Sequence, residues 1–199
     1  MIPSKNKKVG LYFGTFNPIH VGHLIIANHL AEFTDLDEVW LVITPQNPFK
    51  KNSNLLANHH RYQMVFRATE KYDSIKVSKV EFDLPKPNYT TKTLMILEEK
   101  YSNIKFNLII GEDNLVSFNK WKNYNFILEQ YELYICPRIN KKPVPEEFTN
   151  HPGINWTGTP IIEISSTYIR DSIKKGKNYK PLLPLEVWQY IDEMNFYKK

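Results

Sequence analysis

Two histidines near the start of the sequence, His20 and His23, lie three residues apart in the stretch GTFNPIHVGHL, residues 14–24. The apolar run before this stretch is typical of a strand, and the residues after it repeat at helical spacing. The start of a helix presents unpaired backbone N–H groups and a partial positive charge, which favour the binding of an anion. Because residues i and i+3 share one helix face, we expect both imidazoles on the same side. The pattern predicts a site for the phosphates of a nucleotide.

Three other residues of this stretch support that prediction. We expect Gly14 to let a ligand approach the backbone, Gly22 to leave room beside the histidines, and Pro18 to fix the chain as it enters the helix. A single histidine at a helix start is often only a capping or packing residue, and a pair can instead bind a metal. Histidines at i and i+3 without a nearby carboxylate or thiol form a poor zinc site. We therefore predict no metal held by protein side chains.

A second segment, ISSTYIR at residues 164–170, also predicts the start of a helix. Ser165, Ser166 and Thr167 are residue types that cap helices, and apolar residues follow at helical spacing. Arg170 would lie one turn into this helix, placed to reach back over its end. Taken alone, the segment is an ordinary capped helix with a solvated arginine.

Together the two segments resemble the signatures of the nucleotidyltransferase superfamily. GTFNPIHVGH is similar to its G-x-F-x-P-x-(H/T)-x-G-H motif, and ISSTYIR is similar to its second signature. The resemblance implies that a phosphate oxygen of one substrate attacks the α-phosphorus of a nucleoside triphosphate and that pyrophosphate leaves. It implies catalytic roles for His20, His23 and Arg170. Ser166 and Thr167 would help Arg170 to hold the β- and γ-phosphates, and Mg²⁺ would bind largely through phosphate oxygens and water.

Three further segments narrow the choice of substrates. In LIIGEDNL a strand ends at Gly111, and Asp113 is placed to accept hydrogen bonds from ribose hydroxyls. Trp121 can stack on a flat aromatic ring, although a tryptophan of the hydrophobic core is an equally good interpretation. In NYTTKTL a helix begins near Thr90 and Thr91 with free amides that can bind a small carboxylate.

In order and spacing, these segments resemble those of the bacterial nicotinate mononucleotide adenylyltransferases over nearly the whole chain. The resemblance implies transfer of AMP from ATP to nicotinate mononucleotide, which gives nicotinate adenine dinucleotide and pyrophosphate in NAD biosynthesis. Trp121 would stack on the pyridine ring, and the helix start at Thr90 and Thr91 would bind the nicotinate carboxylate. The residues implied to bind ATP are Gly14, Thr15, Phe16, Gly22, Gly111, Asp113, Ser165, Ser166 and Thr167. The other residues implied to bind the mononucleotide are Asn17, Lys50 and Lys51.

Other functions are open to the same motifs. Within the superfamily the alternatives are an adenylyltransferase for nicotinamide mononucleotide, a phosphopantetheine adenylyltransferase and a cytidylyltransferase. The last two have no reason to carry both the YTTKTL segment and Trp121. A non-catalytic nucleotide-binding regulator would not need His20, His23 and Arg170. An RNA-binding module is disfavoured because the sequence shows no platform of aromatic and basic residues.

The elements that must position these residues alternate along the sequence. Strands are predicted at Val9–Phe13, Glu38–Thr44, Ile75–Val80, Phe106–Ile110, Tyr131–Cys136 and Ile161–Glu163. Helices are predicted at Val21–Thr34, Asn58–Tyr72, Thr90–Tyr101, a short one from Asp113, Tyr124–Gln130, Ser166–Lys175 and Pro184–Asn195. This alternation predicts an α/β fold with a doubly wound, Rossmann-like parallel sheet and helices on both faces. Residues 45–57 and 137–160 are predicted to be loops.

Length and composition fit one domain of 199 residues with a small helical part at about residues 165–199. The net charge of +5 suits an anionic substrate. Positive residues are scattered rather than gathered in a stripe, which disfavours nucleic acid as a partner. A single cysteine, Cys136, and the lack of an apolar targeting or membrane segment favour a cytoplasmic protein. The expected partners are ATP and nicotinate mononucleotide, without nucleic acid or membrane, and a homo-oligomer is left open.

Overall fold

A six-stranded parallel sheet forms the centre of the computed structural model, which describes residues 6–45, 55–139 and 143–198. Its strands are β1 (Lys7–Gly14), β2 (Glu38–Ile43), β3 (Ile75–Ser78), β4 (Ile104–Gly111), β5 (Leu133–Cys136) and β6 (Ile154–Trp156). They lie in the order β3-β2-β1-β4-β5-β6, and every pairing is parallel. The predicted Rossmann-like parallel sheet is confirmed.

Helices cover both faces of this sheet. They are α1 (Val21–Phe33), α2 (Asn58–Thr69), α3 (Thr90–Lys100), α4 (Glu112–Leu115), α5 (Tyr124–Gln130), α6 (Glu146–Thr149), α7 (Ser166–Lys174) and α8 (Leu185–Glu193). Buried side chains of α1, α2, α7 and α8 form one hydrophobic cluster with the sheet, and those of α3 to α6 form a second. On β4, Leu108 and Ile110 belong to the second cluster and Ile109 to the first, because side chains alternate along a strand.

The strand order reverses between β1 and β4. From β1 the chain builds β2 and β3 on one side, and then α3 carries it back to place β4 on the other side of β1. Gly14 and Gly111 end these two neighbouring strands. Ligands of doubly wound sheets bind beyond the carboxyl ends of the strands at such a reversal, so the topology places the sequence motifs around the expected crevice.

Two predictions about the last third of the chain are wrong. Ile161–Glu163 is not a strand of the sheet, because the edge position beside β5 is taken by β6. Residues 137–160 are not simply a loop, because they include α6 and β6. Phe148 and Ile154 fix these two elements by burying their side chains in the second cluster, with exposures of 0% and 8%.

The loop predicted at residues 45–57 falls only partly within the described chain. Residues 46–54, which include Lys50 and Lys51, lie outside the described residues. The helix predicted from Asn58 begins at that residue, as α2.

Candidate active site

A cavity of about 530 Å³ lies at the reversal of strand order. Its walls come from the end of β1 with the start of α1, from residues that follow β4 and β5, and from the stretch that leads into α7. The first group of lining residues is Tyr12, His20, Gly22, His23 and Ile26. The other lining residues are Asp113, Arg138, Ile139, Ile161, Ile162, Glu163, Ile164, Ser165 and Ser166. The two phosphate motifs of the sequence therefore meet at one cavity.

The turn between β1 and α1 is held by hydrogen bonds to its carbonyl oxygens. The Gly14 carbonyl accepts the backbone N–H of Thr44 at 2.9 Å, and the Thr15 carbonyl accepts Nη1 of Arg61 at 2.7 Å. In a trans peptide the N–H of the next residue points away from the carbonyl. The N–H groups of Thr15 and Phe16 therefore point away from the two donors that hold this turn, the Thr44 amide and the Arg61 guanidinium.

The same turn is also tied to α7. Nη1 of Arg170 donates to the Asn17 carbonyl at 2.8 Å, and Oγ of Ser166 donates to the Pro18 carbonyl at 2.8 Å. Nη2 of Arg170 donates to Oγ1 of Thr167 at 3.1 Å, so the guanidinium reaches back over the start of α7. Neither Arg170 nor Thr167 lines the cavity itself. These bonds make the two motifs one rigid unit.

Gly14 and Gly22 have packing roles in this unit. A Cβ at Gly14 would lie 2.8 Å from Cζ of Phe16, whose backbone is left-handed with φ of 45° and whose ring is buried. A Cβ at Gly22 would lie 2.8 Å from Cγ2 of Ile162 and 3.1 Å from Nδ1 of His20. Protein side chains thus occupy the space that the sequence suggested was reserved for a ligand. Gly22 borders the cavity, whereas Gly14 and Phe16 do not.

His20 and His23 lie on one face at the start of α1, with stacked rings whose centroids are 3.7 Å apart. The backbone N–H of His20 donates to Nδ1 of His23 at 3.2 Å. Because Nδ1 of His23 accepts this bond, the neutral ring carries its proton on Nε2. Nδ1 of His20 is buried and has no hydrogen-bond partner within the described chain. The shared face that the sequence spacing predicts is observed.

Both imidazoles are neutral at pH 7. Burial lowers the pKa of His20 to about 4. Burial also holds the pKa of His23 well below its usual value, and repulsion from a protonated His20 and from Arg138 lowers it further. A neutral imidazole still donates one hydrogen bond, so the pair can serve as hydrogen-bond donors to a phosphate without being cations beforehand.

Asp113 and Arg138 face each other where β4 and β5 end. Nε of Arg138 donates to Oδ1 of Asp113 at 3.3 Å, and the backbone N–H of Arg138 donates to Oε2 of Glu112 at 3.1 Å. Gly111 makes room for the pair, since a Cβ there would lie 2.3 Å from Oδ1 of Asp113. The Asp113 side chain is 60% exposed, which leaves it accessible to a ribose hydroxyl.

Arg138 lines the cavity although none of the sequence motifs includes it. It lies two residues after β5, and the carboxyl ends of parallel strands share one edge of the sheet, so its position carried a usable signal. The aliphatic wall was also missed. Part of this wall comes from residues 161–163, which were predicted to be a strand but run along the cavity toward α7 instead. The isoleucines of the wall are Ile139, Ile161, Ile162 and Ile164.

Among the described residues predicted to bind the mononucleotide, none lines this cavity; they are Asn17, Thr90, Thr91 and Trp121. Trp121 is partly buried in the second hydrophobic cluster, where its ring centroid lies 5.3 Å from that of Phe118. Nζ of Lys122 lies 4.4 Å from the centroid of the Tyr89 ring, which brings the Trp121 loop to the start of α3. The loop that contains Trp121 thus contacts the start of α3 through Lys122. Asn17, which is also predicted to bind the mononucleotide, lies in the turn before α1.

The start of α3 rests on a buried carboxyl group that sequence reasoning missed. Glu81 accepts a hydrogen bond from Oγ1 of Thr93 at 2.8 Å, and its carbonyl accepts Nδ2 of Asn88 at 3.0 Å. Burial raises the pKa of Glu81. Thr90 and Thr91 occupy the first turn of α3, which has no side-chain cap from the described residues. Their amides are therefore at the end of the helix that favours anions.

The described residues hold neither a cluster of metal ligands nor a helix that could span a membrane. Residues 6–45, 55–139 and 143–198 hold no group of three or more His, Cys, Asp or Glu side chains arranged to bind a metal. In the same part of the chain, no helix has the length and apolar character needed to cross a membrane.

The fold and the matches to known proteins together identify a nucleotidyltransferase. Residues 11–172, from β1 into α7, match the family model described as cytidylyltransferase-like. The chain therefore belongs to the cytidylyltransferase-like family, and its curated relatives carry the more specific name "Probable nicotinate-nucleotide adenylyltransferase".

Those relatives match the chain over almost its full length. The Christiangramia forsetii protein is 61% identical over 193 residues, which are 97% of this chain and 100% of the relative. The Flavobacterium johnsoniae protein is 60% identical over 192 residues, which are 96% of this chain and 100% of the relative. The family predicted from the sequence motifs is confirmed.

Solved structures support the fold independently. A Plasmodium falciparum nicotinic acid mononucleotide adenylyltransferase complexed with NaAD has a TM-score of 0.77 at 21% identity, with 96% of this chain and 97% of that chain covered. A putative nicotinate-nucleotide adenylyltransferase from Vibrio parahaemolyticus has a TM-score of 0.70 at 22% identity, covering 96% and 95%. At such identities the likeness concerns the architecture alone.

Proposed function

We propose that this chain is a nicotinate-nucleotide adenylyltransferase, which transfers AMP from ATP to nicotinate mononucleotide and releases pyrophosphate. The observation that carries the proposal is the meeting of the two histidines of α1 with the hydroxyl-bearing start of α7 around one cavity. Relatives between 56% and 61% identical over nearly the whole chain are named for this activity.

The reaction exchanges one phosphorus–oxygen bond for another. A phosphate oxygen of the mononucleotide attacks the α-phosphorus of ATP, the bond from that phosphorus to the bridging oxygen breaks, and pyrophosphate leaves with the electron pair. The attacking phosphate is an anion at neutral pH, so it needs no base to activate it. The protein contributes by positioning the substrates and stabilising negative charge.

In this proposal His20 and His23 donate hydrogen bonds to the α-phosphate and the bridging oxygen. Nε2 of His23 is a donor of fixed orientation, because its Nδ1 already accepts the N–H of His20. The His20 ring is buried and the two rings stack on each other, so little reorganisation accompanies the reaction. Removal of one such donor is expected to lower kcat by ~10²–10³-fold.

The β- and γ-phosphates are assigned to the start of α7. Arg170 uses Nη1 and Nη2 to hold Asn17 and Thr167, and a guanidinium has five N–H groups in all. Its remaining N–H groups, with Ser166 and Thr167, would bind the β- and γ-phosphates. Arg138 contributes a positive charge that lines the cavity itself, on the side where Asp113 would bind the ribose.

Mg²⁺ would enter this site with ATP, held by phosphate oxygens and water. The donor set of the cavity fits that arrangement, since Asp113 and Glu163 offer carboxylate oxygens beside the place proposed for the phosphates. When bound, the ion neutralises charge on the triphosphate.

The nicotinate carboxylate is assigned to the amides of Thr90 and Thr91, and the pyridine ring to Trp121. A helix N-terminus favours an anion, which gives a physical reason to prefer the acid mononucleotide over the amide. Asn17 is proposed to contact the mononucleotide, and Lys50 or Lys51 its phosphate. The two nucleotides are the proposed partners, and a cytoplasmic location agrees with the free, buried thiol of Cys136.

Pyrophosphate release from ATP tests the proposal, with nicotinate mononucleotide, nicotinamide mononucleotide and phosphopantetheine as separate acceptors. We expect the highest kcat/KM with nicotinate mononucleotide. His20→Ala should lower kcat by ~10²–10³-fold while nucleotide affinity changes far less. If none of the acceptors is turned over although ATP binds, the protein is a nucleotide-binding regulator and the proposal is wrong.

A further inference from the structure

The segment that follows α8 folds back toward the turn between β1 and α1. Asn195 and Tyr197 both have left-handed backbones, with φ of 53° and 60°, and such conformations reverse the chain direction at a helix end. The Phe196 ring packs on His60 of α2 at 4.6 Å and on Tyr190 of α8 at 5.7 Å between centroids. Residues 194–198 are therefore anchored to the body of the protein.

This packing delivers the hydroxyl of Tyr197 to Asn17. Tyr197 Oη donates to Oδ1 of Asn17 at 2.7 Å, and the backbone N–H of Leu56 donates to the same oxygen at 3.3 Å. Burial raises the pKa of Tyr197, although the charges of Arg170 and Arg61 oppose the rise, so the phenol stays protonated as a donor at neutral pH.

Asn17 is consequently fixed at both its backbone and its side chain. It is 3% exposed, and its carbonyl accepts Nη1 of Arg170 at 2.8 Å. Two donors on Oδ1 define which end of the carboxamide is oxygen and which is nitrogen. Of these two bonds to Oδ1, the one from Tyr197 is the shorter, at 2.7 Å against 3.3 Å from Leu56. Asn17 lies three residues before His20, in the turn that leads into α1, so its position also affects the positions of the histidines.

We infer that Tyr197 is a positioning residue for adenylyl transfer, which acts through Asn17 by fixing the carboxamide and the turn that leads to His20. The inference rests on the proposed function, because Asn17 is there assigned to the mononucleotide. It adds a residue that is 180 positions away in the sequence, for which no sequence motif gave a signal. Tyr197 does not touch substrate in this account, since its hydroxyl is directed at a protein atom.

The test compares Tyr197→Phe with Tyr179→Phe. Both variants remove one hydroxyl and keep the ring, and both hydroxyls serve the part of the chain after α7, since Tyr179 Oη donates to Oδ1 of Asp192 at 2.8 Å. We expect Tyr197→Phe to lower kcat/KM for nicotinate mononucleotide about 10-fold, the change in rate that loss of one well-formed hydrogen bond typically gives. KM for ATP should change less than about 2-fold, and Tyr179→Phe should leave both parameters within about 2-fold.

A double-mutant cycle with Asn17→Ala separates positioning from general weakening of the fold. If Tyr197 acts through Asn17, Tyr197→Phe should change kcat/KM less than about 2-fold in the Asn17→Ala background. Full additivity of the two changes would overturn the inference. So would equal losses in Tyr197→Phe and Tyr179→Phe, or no loss in Tyr197→Phe.

Amide hydrogen exchange keeps this inference separate from the proposed function. If the unaltered protein fails to release pyrophosphate with nicotinate mononucleotide, the proposed function fails, but the role of Tyr197 in holding the turn can still be measured. Tyr197→Phe should speed exchange in a peptide that covers residues 15–20, whereas Tyr179→Phe should not. Unchanged exchange there would refute the role of Tyr197.

Discussion

Replacement of Arg61 by methionine should destabilise the protein strongly, because this arginine is a fully buried cation that donates to the turn between β1 and α1. It is 0% exposed, and burial lowers its pKa to about 10. Its guanidinium donates five hydrogen bonds, to the carbonyls of Leu56 (3.1 Å), Thr15 (2.7 Å), Thr44 (2.8 Å) and Pro45 (3.1 Å) and to Oδ1 of Asn58 (2.6 Å). Among these acceptors there is no carboxylate, so amide dipoles alone solvate the charge.

The size of the effect follows from two opposing contributions. Five hydrogen bonds from a charged group contribute on the order of 7–15 kcal/mol before any cost is counted, and burial of the charge costs several kcal/mol. Methionine removes both contributions, so the loss is the difference between them, and the desolvation of the unpaired acceptors is already part of the hydrogen-bond figure. We expect a net loss of about 4 kcal/mol, a large part of the roughly 5–15 kcal/mol that folded domains have.

Urea unfolding measures this loss, and Arg67→Met on the same helix is the matched control. Arg67 lies over the Tyr190 ring at 4.4 Å, a contact that contributes about 0.5–1 kcal/mol. Arg61→Lys should fall between Arg61→Met and the unaltered protein, because an ammonium has three N–H donors for these five acceptors. In thermal unfolding, Arg61→Met should lower Tm by about 8–16 °C. A change below about 1 kcal/mol in Arg61→Met would refute the reasoning, since it would mean that the five bonds and the burial cost cancel.

Three further predictions follow from the site. The unfolded chain binds a proton at His20 as the pH falls through about 6.5, whereas the folded protein binds it only near its lowered pKa of about 4. The free energy of unfolding should therefore fall as the pH drops through this window. The difference between the unaltered protein and His20→Gln isolates that loss, at most about 3 kcal/mol, and a constant difference from pH 7 to pH 4 would contradict the assigned burial. Trp121→Leu should raise KM for nicotinate mononucleotide about 10-fold with KM for ATP unchanged, as steady-state kinetics can show, and an equal rise in both would argue for a purely structural tryptophan. Gly22→Ala should lower kcat more than about 10-fold, because the new Cβ would lie 2.8 Å from Cγ2 of Ile162 and 3.1 Å from Nδ1 of His20; unchanged kcat would show that these neighbours yield without moving the imidazole.

Sequence predicted the parts of the fold that depend on local pattern. The strand, glycine turn and helix around His20 and His23 were predictable because apolar spacing and helix-start residues are read within about ten positions. The edge strand β6 was not, because three residues cannot show a period and their strand state depends on pairing with β5. The triplet Ile161–Glu163, with its two β-branched isoleucines, looked more like a strand, yet these isoleucines serve as a cavity wall.

The site shows the same division. The two motifs were predictable as motifs, but the ties between them were not, since the bond from Ser166 to Pro18 spans 148 positions. Gly14 was predicted to let a ligand approach the backbone, but its neighbour in space is the ring of Phe16, a residue with a left-handed backbone. Arg138 was overlooked because it belongs to no motif, although its place after β5 pointed to the crevice.

The anchoring of the turn at residues 14–18 has a consequence for how the protein loses activity. Its oxygen atoms accept hydrogen bonds from the residue after β2, from α2, from α7 and from the segment after α8; the donors are Thr44, Arg61, Ser166, Arg170 and Tyr197. No partly unfolded state that releases one of these elements can keep the turn intact. Loss of catalysis in denaturant should therefore accompany release of the first of these elements, and a comparison of the activity curve with the global unfolding curve tests the cooperativity of the whole fold.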